Sequence, residues 1–247
     1  MTLEPLPRDA FEERLRREGA ARYHDRHPFH RRMHDGLLSQ GDLKRWVENR
    51  YYYQTRLPIK DALIVAKSDD PTFRRVWAER IHHQDGRHED DAPGRAGSIG
   101  GLELWLRLAE GVGLERSSVE RFERVLPCVR AACDRYVSFV RGATLVEAVA
   151  SSLTECFAPD LMARRATAWA THYPFVPWQA TAYFGTRVIR ARKDAQHGLA
   201  FVLDQATTRE LQERAVQALV TKCDILWSML DSIDEACRDT TRWGRTA

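Results

Sequence analysis

The sequence predicts an all-α protein folded as one helical bundle. Alternating strand patterns are almost absent, apolar residues recur at three- and four-residue steps in most segments longer than ten residues, and Ser, Asp, Thr and Pro punctuate the breaks. Asp9 opens a first helix to about Arg22, and a short turn follows over Pro28–His34. Ser39 caps a long segment through Ala66, which Pro58 is expected to kink or split because it has no N–H to donate. Asp70-Pro71 combines a cap with proline at the first helical position and starts a helix to about His88. Helices then cover about 102–111, 118–126 and 128–141, with Ser117-x-x-Glu120 as a capping box for the second and Pro127 dividing the last two. A pair at about 145–157 and 160–172 is broken at Pro159. Two long helices, about 178–205 and 208–237, close the chain with Thr207-x-x-Glu210 between them. There is no internal repeat and no linker able to separate domains, so residues 1–247 are expected to form a single domain.

Composition narrows the function. With 43% hydrophobic and 30% charged residues, 247 positions suffice for a sizeable core. Lys+Arg 38 against Asp+Glu 35 leaves +3 without a basic block or acidic tail, which argues against nucleic acid or a membrane surface and for a small ligand. No apolar run approaches the roughly 18 residues of a membrane span, and MTLEPLPRDAFEERLRRE lacks the core of a signal peptide, so a cytoplasmic protein is expected. Cys128, Cys133, Cys156, Cys223 and Cys237 are odd in number and lie within helical patterns, as reduced packing residues do. Residues 89–101 form the Gly-rich loop. They lack GxGxxG or Walker spacing, so the expectation is a surface loop or a mobile lid.

Polar residues stand where a bundle should be dry. Tyr183, Arg187, Arg190, Asp194 and His197 fall on one face of the penultimate helix, opposite Phe184, Val188, Ala191, Ala195 and Val202. That face is either solvated and laced with Arg–Asp pairs or turned towards a site. In the last helix, Leu219, Leu226, Met229 and Ile233 form an apolar stripe interrupted by Lys222, which must either snorkel to solvent or meet an anion inside. The helix after Ser39 sets Arg50, Tyr53, Gln54, Lys60 and Asp61 among Trp46, Tyr51, Tyr52 and Leu57. Spaced cations beside aromatic rings suit a flat anionic ligand, although amphipathic packing with exposed Arg and Lys fits equally well.

Taken together, YHDRHPFHRRMHDG at 23–36, WVENRYYYQTRLPIKDA at 46–62, SSLTECFAP at 151–159 and KCDILWSMLD at 222–231 resemble the PqqC family of pyrroloquinoline quinone (PQQ) synthases. The resemblance is collinear from about Phe11 to Asp231, with a longer Gly-rich stretch after His88. It implies a haem-oxygenase-like (TenA-like) bundle of about seven core helices, usually a homodimer, which uses no cofactor or metal. It also implies a cytoplasmic oxidase that closes the third ring of a bicyclic, polycarboxylate quinone and oxidises the product with dioxygen as co-substrate, releasing hydrogen peroxide. Cations would hold the carboxylates while a base removes carbon-bound protons. By resemblance, the substrate shell comprises Tyr23, Arg50, Gln54, Lys60, Arg80, Tyr136, Thr154, Glu155, Arg165 and Lys222, with His24 beside it. Tyr183 and Arg187 correspond to the pocket for dioxygen and peroxide.

Two positions depart from the family pattern, each replacing an active-site histidine: Gln84 in RIHHQDG and Met162 beside the oxygen pocket. Glutamine cannot take a proton near neutral pH, and His82 and His83 face other sides of the helix. Methionine keeps a pocket dry, cannot relay protons and is oxidisable. Gln84→His is therefore expected to raise the rate of oxidation. Two rivals follow. A di-iron oxidase would draw on Glu79, His83, His88, Glu155, Asp194 and His197, although only Asp194-x-x-His197 resembles half of the usual Glu-x-x-His pair. A non-catalytic quinone-binding protein would keep the cations and lose the bases. A thiaminase-like hydrolase lacks an arguable cysteine nucleophile.

Overall fold

The computed structural model of the protein describes residues 4–87 and 98–243, apart from the side chains at 189, 190 and 240–243. The described residues form α1 (Arg8–Arg22), α2 (Pro28–His34), α3 (Gln40–Val65), α4 (Pro71–Asp85), α5 (Gly101–Gly111) and α6 (Arg116–Glu120). There follow α7 (Pro127–Gly142), α8 (Leu145–Ala150), α9 (Ala158–His172), α10 (Ala182–Gln205) and α11 (Arg209–Trp243). Three 3-10 turns, His24–Arg26, Ser151–Phe157 and Trp178–Thr181, join them. The expected all-α bundle is present, and no described helix is long and apolar enough to cross a membrane.

Local chemistry explains most boundaries and corrects five expectations. The stretch expected as a turn at Pro28–His34 is a helix, because Pro28 occupies its first position and the His27 side chain accepts from the Phe29 N–H at 3.1 Å. Ser39 does cap α3, in a reciprocal box with Asp42. Pro58 does not split α3, which runs on to Val65. Ser117 and Glu120 form no capping box: α6 already starts at Arg116, and Phe122 leaves the helical region with φ 57°. Pro159 does not break a helix but sits in the first turn of α9, where its missing N–H has no helical partner to lose. Thr208 rather than Thr207 caps α11, accepting from the Leu211 N–H at 3.2 Å.

The core forms around α3, which packs on α4, α5 and α7, while α11 lies against α1, α7 and α8. Trp105 and Trp169 pack at a tilt against Trp46, with ring centroids 5.3 and 5.9 Å away, and all three are fully buried. The five cysteines are free thiols. The 3-10 turn Ser151–Phe157 packs on both α10 and α11 and so brings the two long helices to one wall. Arg87 and Ser98 exchange backbone hydrogen bonds at 3.1 and 3.0 Å, fastening the two ends of the Gly-rich loop. Residues 88–97, and with them His88 and the possible lid, lie outside the described residues.

Candidate active site

A chamber of about 60 Å³ lies among α3, α7, α9, α10, α11, the 3-10 turn Ser151–Phe157 and the Tyr23-His24 corner. Each element supplies polar groups from a face that the bundle turns inward. From α3 come Arg50, Tyr53, Gln54 and Lys60; α10 gives Tyr183 and Arg187; α11 gives Lys222. Six cationic side chains surround the space, Arg50, Lys60, Arg80, Arg165, Arg187 and Lys222, against the carboxylates of Asp61, Glu155 and Asp194. The stripe on α10 is thus no solvated face: Tyr183 is 2% exposed and hydrogen-bonds Gln54 Oε1 at 2.9 Å. The Arg190 side chain lies outside the described residues.

The cations divide into paired and unpaired. Lys60 Nζ sits 2.7 Å from Asp61 Oδ1 and donates to Ser152 Oγ at 2.8 Å, and Trp77 Nε1 donates to Asp61 Oδ1 at 2.9 Å. Burial opposes the Lys60 charge, but Asp61, Tyr136 and Glu155 outweigh it and raise its pKa. Arg80 pairs with Glu155 and also donates to the Asp194 carbonyl at 2.6 Å. Burial works against the Glu155 charge, yet Arg80, Lys60 and Arg187 hold its carboxyl below the usual range. Asp194 is pushed up by burial and by Glu155.

Lys222 stands in the second group. Its ammonium makes no hydrogen bond among the described residues, lying instead 3.2 Å from the Tyr136 ring centroid and 4.4 Å from that of Tyr53. Burial, Lys60 and Arg50 drive its pKa well down. Arg50 stacks on Tyr53 at 4.1 Å. Arg165 is 1% exposed and faces no carboxylate among the described residues; its Nη1 points at Met162 Sδ, 3.7 Å away. Burial and Arg50 pull the Arg165 guanidinium down to about 9, so it stays charged at neutral pH.

The histidine corner has a fixed proton order. His30 Nδ1 is 2.9 Å from the His24 carbonyl oxygen, which can only accept, so the His30 proton is on Nδ1 and its Nε2 accepts from Arg165 Nη2 at 3.2 Å. The 3.3 Å contact between the two Nδ1 atoms makes His24 Nδ1 an acceptor and puts the His24 proton on Nε2. Burial and the surrounding arginines hold both histidines neutral, with pKa values well below the ordinary range.

Sequence matching places this architecture. The TENA/THI-4/PQQC family model matches residues 12–232. The chain belongs to that family. A pyrroloquinoline-quinone synthase of Rhizobium meliloti (strain 1021) is 48% identical over 229 residues, 93% of this chain and 86% of the relative. One from Gluconobacter oxydans (strain 621H) is 44% identical over 236 residues, 96% and 95% of the two chains. Among solved structures, a domain with a heme oxygenase-like fold from Shewanella denitrificans OS217 superposes with TM-score 0.73 at 14% identity, covering 94% of each chain. A TenA homologue of P. horikoshii OT3 gives TM-score 0.68 at 12% identity, covering 90% of this chain and 97% of its own. Both solved structures support the fold of the TENA/THI-4/PQQC family.

Of the positions that the family resemblance singled out, Tyr23, His24, Arg50, Gln54, Lys60, Tyr136, Thr154, Glu155, Met162, Tyr183, Arg187 and Lys222 line the chamber. Arg80, Gln84 and Arg165 do not; each stands one side chain behind the wall, at Glu155, Gln54 and Met162 respectively. Gln84 donates to Gln54 Oε1 at 3.1 Å and to the Gln54 carbonyl at 3.3 Å, so it contacts the lining rather than the cavity. That carbonyl is free because Pro58, four residues on, has no N–H to return to it. Tyr53, Leu57, Ser152, Ala158 and Leu226 also line the chamber and are not among the positions that the resemblance named. Ser152 lies within the SSLTECFAP motif, and its neighbourhood to Thr154 and Glu155 was the available signal. Among the described residues, no three His, Cys, Asp or Glu side chains gather as metal ligands would. Of the di-iron candidates, Glu79 is held by Arg87 at 2.6 Å, Glu155 by Arg80, and His197 lies against Phe73 and Trp77.

Proposed function

We infer that the protein is a pyrroloquinoline-quinone synthase, catalysing ring closure and dioxygen-dependent oxidation of a bicyclic polycarboxylate quinone, the last step of PQQ formation. The observation that carries this reading is a buried excess of cations over carboxylates around one chamber, in a chain of the matching family. A polyanion supplies what the interior lacks. Arg50 and Lys222, free of carboxylate partners among the described residues, bind substrate carboxylates. Lys60 is already engaged by Asp61 and Ser152.

Protons follow from the same geometry. Lys222, whose charge burial disfavours, gains a counter-charge as the anion arrives, and His24 offers its Nε2 proton as a hydrogen-bond donor. Gln84 acts as a positioning residue: with Tyr183 it occupies Gln54 Oε1 and leaves the Gln54 amide protons for substrate. In each oxidation the ring system loses two electrons and two protons, and dioxygen becomes hydrogen peroxide beside Tyr183 and Arg187. The reading needs no cofactor or metal, and the family resemblance extends it to a cytoplasmic homodimer.

The test is an oxygen-electrode assay of metal-free protein with the bicyclic precursor, following oxygen uptake, peroxide and product together. Multiple turnovers without added metal are expected. Stoichiometric binding with no oxygen uptake would instead identify a quinone-binding protein, and activity only after iron is restored would identify a metal-dependent oxidase.

A further inference from the structure

Met162 stands on the wall of the chamber in which the proposed oxidase would release its peroxide. Met162 lines the chamber with Tyr183 and Arg187, whereas Met33 and Met229 are fully buried and line no part of it. Met229 lies behind Arg50, its sulfur 4.0 Å from Arg50 Nη1 and 3.9 Å from Cys133 Sγ. We propose that Met162 is a modification site, its thioether converted to the sulfoxide by hydrogen peroxide formed inside the chamber; this rests on the oxidase reading above.

The step balances without another reactant. The sulfur attacks one peroxide oxygen, the O–O bond breaks as the S–O bond forms, and the departing hydroxide takes the proton that the transferred oxygen gives up, leaving as water. Sulfur loses two electrons and peroxide gains them. Arg165 makes this methionine a favourable acceptor. Its Nη1 already points at the sulfur from 3.7 Å, it has no carboxylate among the described residues, and its Nε has no hydrogen bond there either. A thioether is a weak acceptor, whereas a sulfoxide oxygen is a strong one, so oxidation gives Nη1 of this buried guanidinium a stronger acceptor, beside the one that Nη2 already has in His30.

The competing targets are disfavoured. Burial pushes the Cys133 thiol up to about 11 and the Cys223 thiol to about 12, which leaves both protonated and slow towards peroxide at neutral pH. A histidine at position 162 would present no sulfur. The glutamine at 84 is likewise inert, so the vulnerability is specific to the residue that this chain carries on the chamber wall.

The decisive experiment is peptide mass spectrometry of the full chain after aerobic turnover of the bicyclic precursor, with catalase present to remove peroxide from bulk solution. A gain of about 16 Da at Met162 is expected, rising with turnover number and exceeding that at Met33 and Met229 by at least about tenfold. Anaerobic incubation with the same precursor should give none. Peroxide production with Met162 unmodified, or equal oxidation of Met33 and Met229, overturns the proposal and leaves the oxidase reading intact; loss of the modification when catalase is added also overturns it, since the oxidant would then come from outside. Absence of any oxygen uptake marks failure of the oxidase reading itself.

Discussion

Lys222 concentrates the conflict between folding and binding in one side chain. An ammonium 2% exposed, with two aromatic faces and no hydrogen-bond partner against it among the described residues, is destabilising to the empty protein. Lys222→Met keeps the volume and removes the charge. It should stabilise the fold by at least about 1 kcal/mol in urea denaturation while abolishing detectable substrate binding by calorimetry. Equal or lower stability would mean that the lysine is solvated or paired. His24 and His30 set a pH dependence. Their folded-state pKa values lie well below the ordinary 6.5, so the unfolded chain binds more protons as pH falls past that value. The histidines' contribution is therefore full above about pH 6.5 and declines below it, by about 1.4 kcal/mol per pH unit for each histidine. His34, pulled down to about 4 by burial and Arg165, adds to the decline, and Glu48, pushed up to about 7 by burial, opposes it. Denaturation midpoints that do not fall between about pH 7 and pH 5.5 would contradict this assignment.

Within α3, one proline links backbone to site. Pro58 withholds an N–H from the Gln54 carbonyl, Gln84 supplies the missing donor from α4, and Gln84 and Tyr183 together fix the Gln54 side chain. The start of α5 closes this arrangement: a Cβ at Gly101 would lie 2.8 Å from Gln84 Oε1. Gly101→Ala should displace the Gln84 amide and lower kcat by about tenfold with little change in thermal midpoint, since the obstacle is the end of a side chain. Gly100→Ala differs, because its Cβ would run into the Gly86 backbone nitrogen. It should destabilise the fold by at least about 1 kcal/mol, and unfolding curves showing the two variants alike would refute the distinction. Most helices were legible because caps and apolar spacing act locally: Ser39, Asp70 and the 3.6-residue periodicity needed no tertiary partner. Three of the five errors fell on prolines at 28, 58 and 159, where the same residue can start, interrupt or be tolerated in a helix according to what packs around it, and the other two on caps at Ser117 and Thr207.

Across the molecule, the chamber is smaller than the ligand it is proposed to hold. About 60 Å³ accommodates a few water molecules, so the walls must give way as a bicyclic quinone enters. Observed association rates in stopped-flow binding should therefore reach a plateau with substrate concentration, the plateau measuring the opening step. A linear rise to saturation of signal, with no plateau, would indicate a site already formed. Lys60 finds its carboxylate in its own neighbour Asp61, but the pairing of Arg80 with Glu155, and the lack of a carboxylate for Arg50, Arg165 and Lys222 among the described residues, appear only at this level, because they depend on what other elements bring.

Periodicity, caps and the joined motifs were enough to establish an α-helical chain of this family and to mark most of the lining residues, since those signals depend on near neighbours and on residue identity. Whether the α10 stripe faced water or the interior, whether Lys222 snorkelled, and whether Gln84, Arg80 and Arg165 touched the cavity or stood behind it depended on how distant helices pack. Residue spacing fixes the face of a helix on which a side chain lies. What that face meets is set by segments far away in the chain.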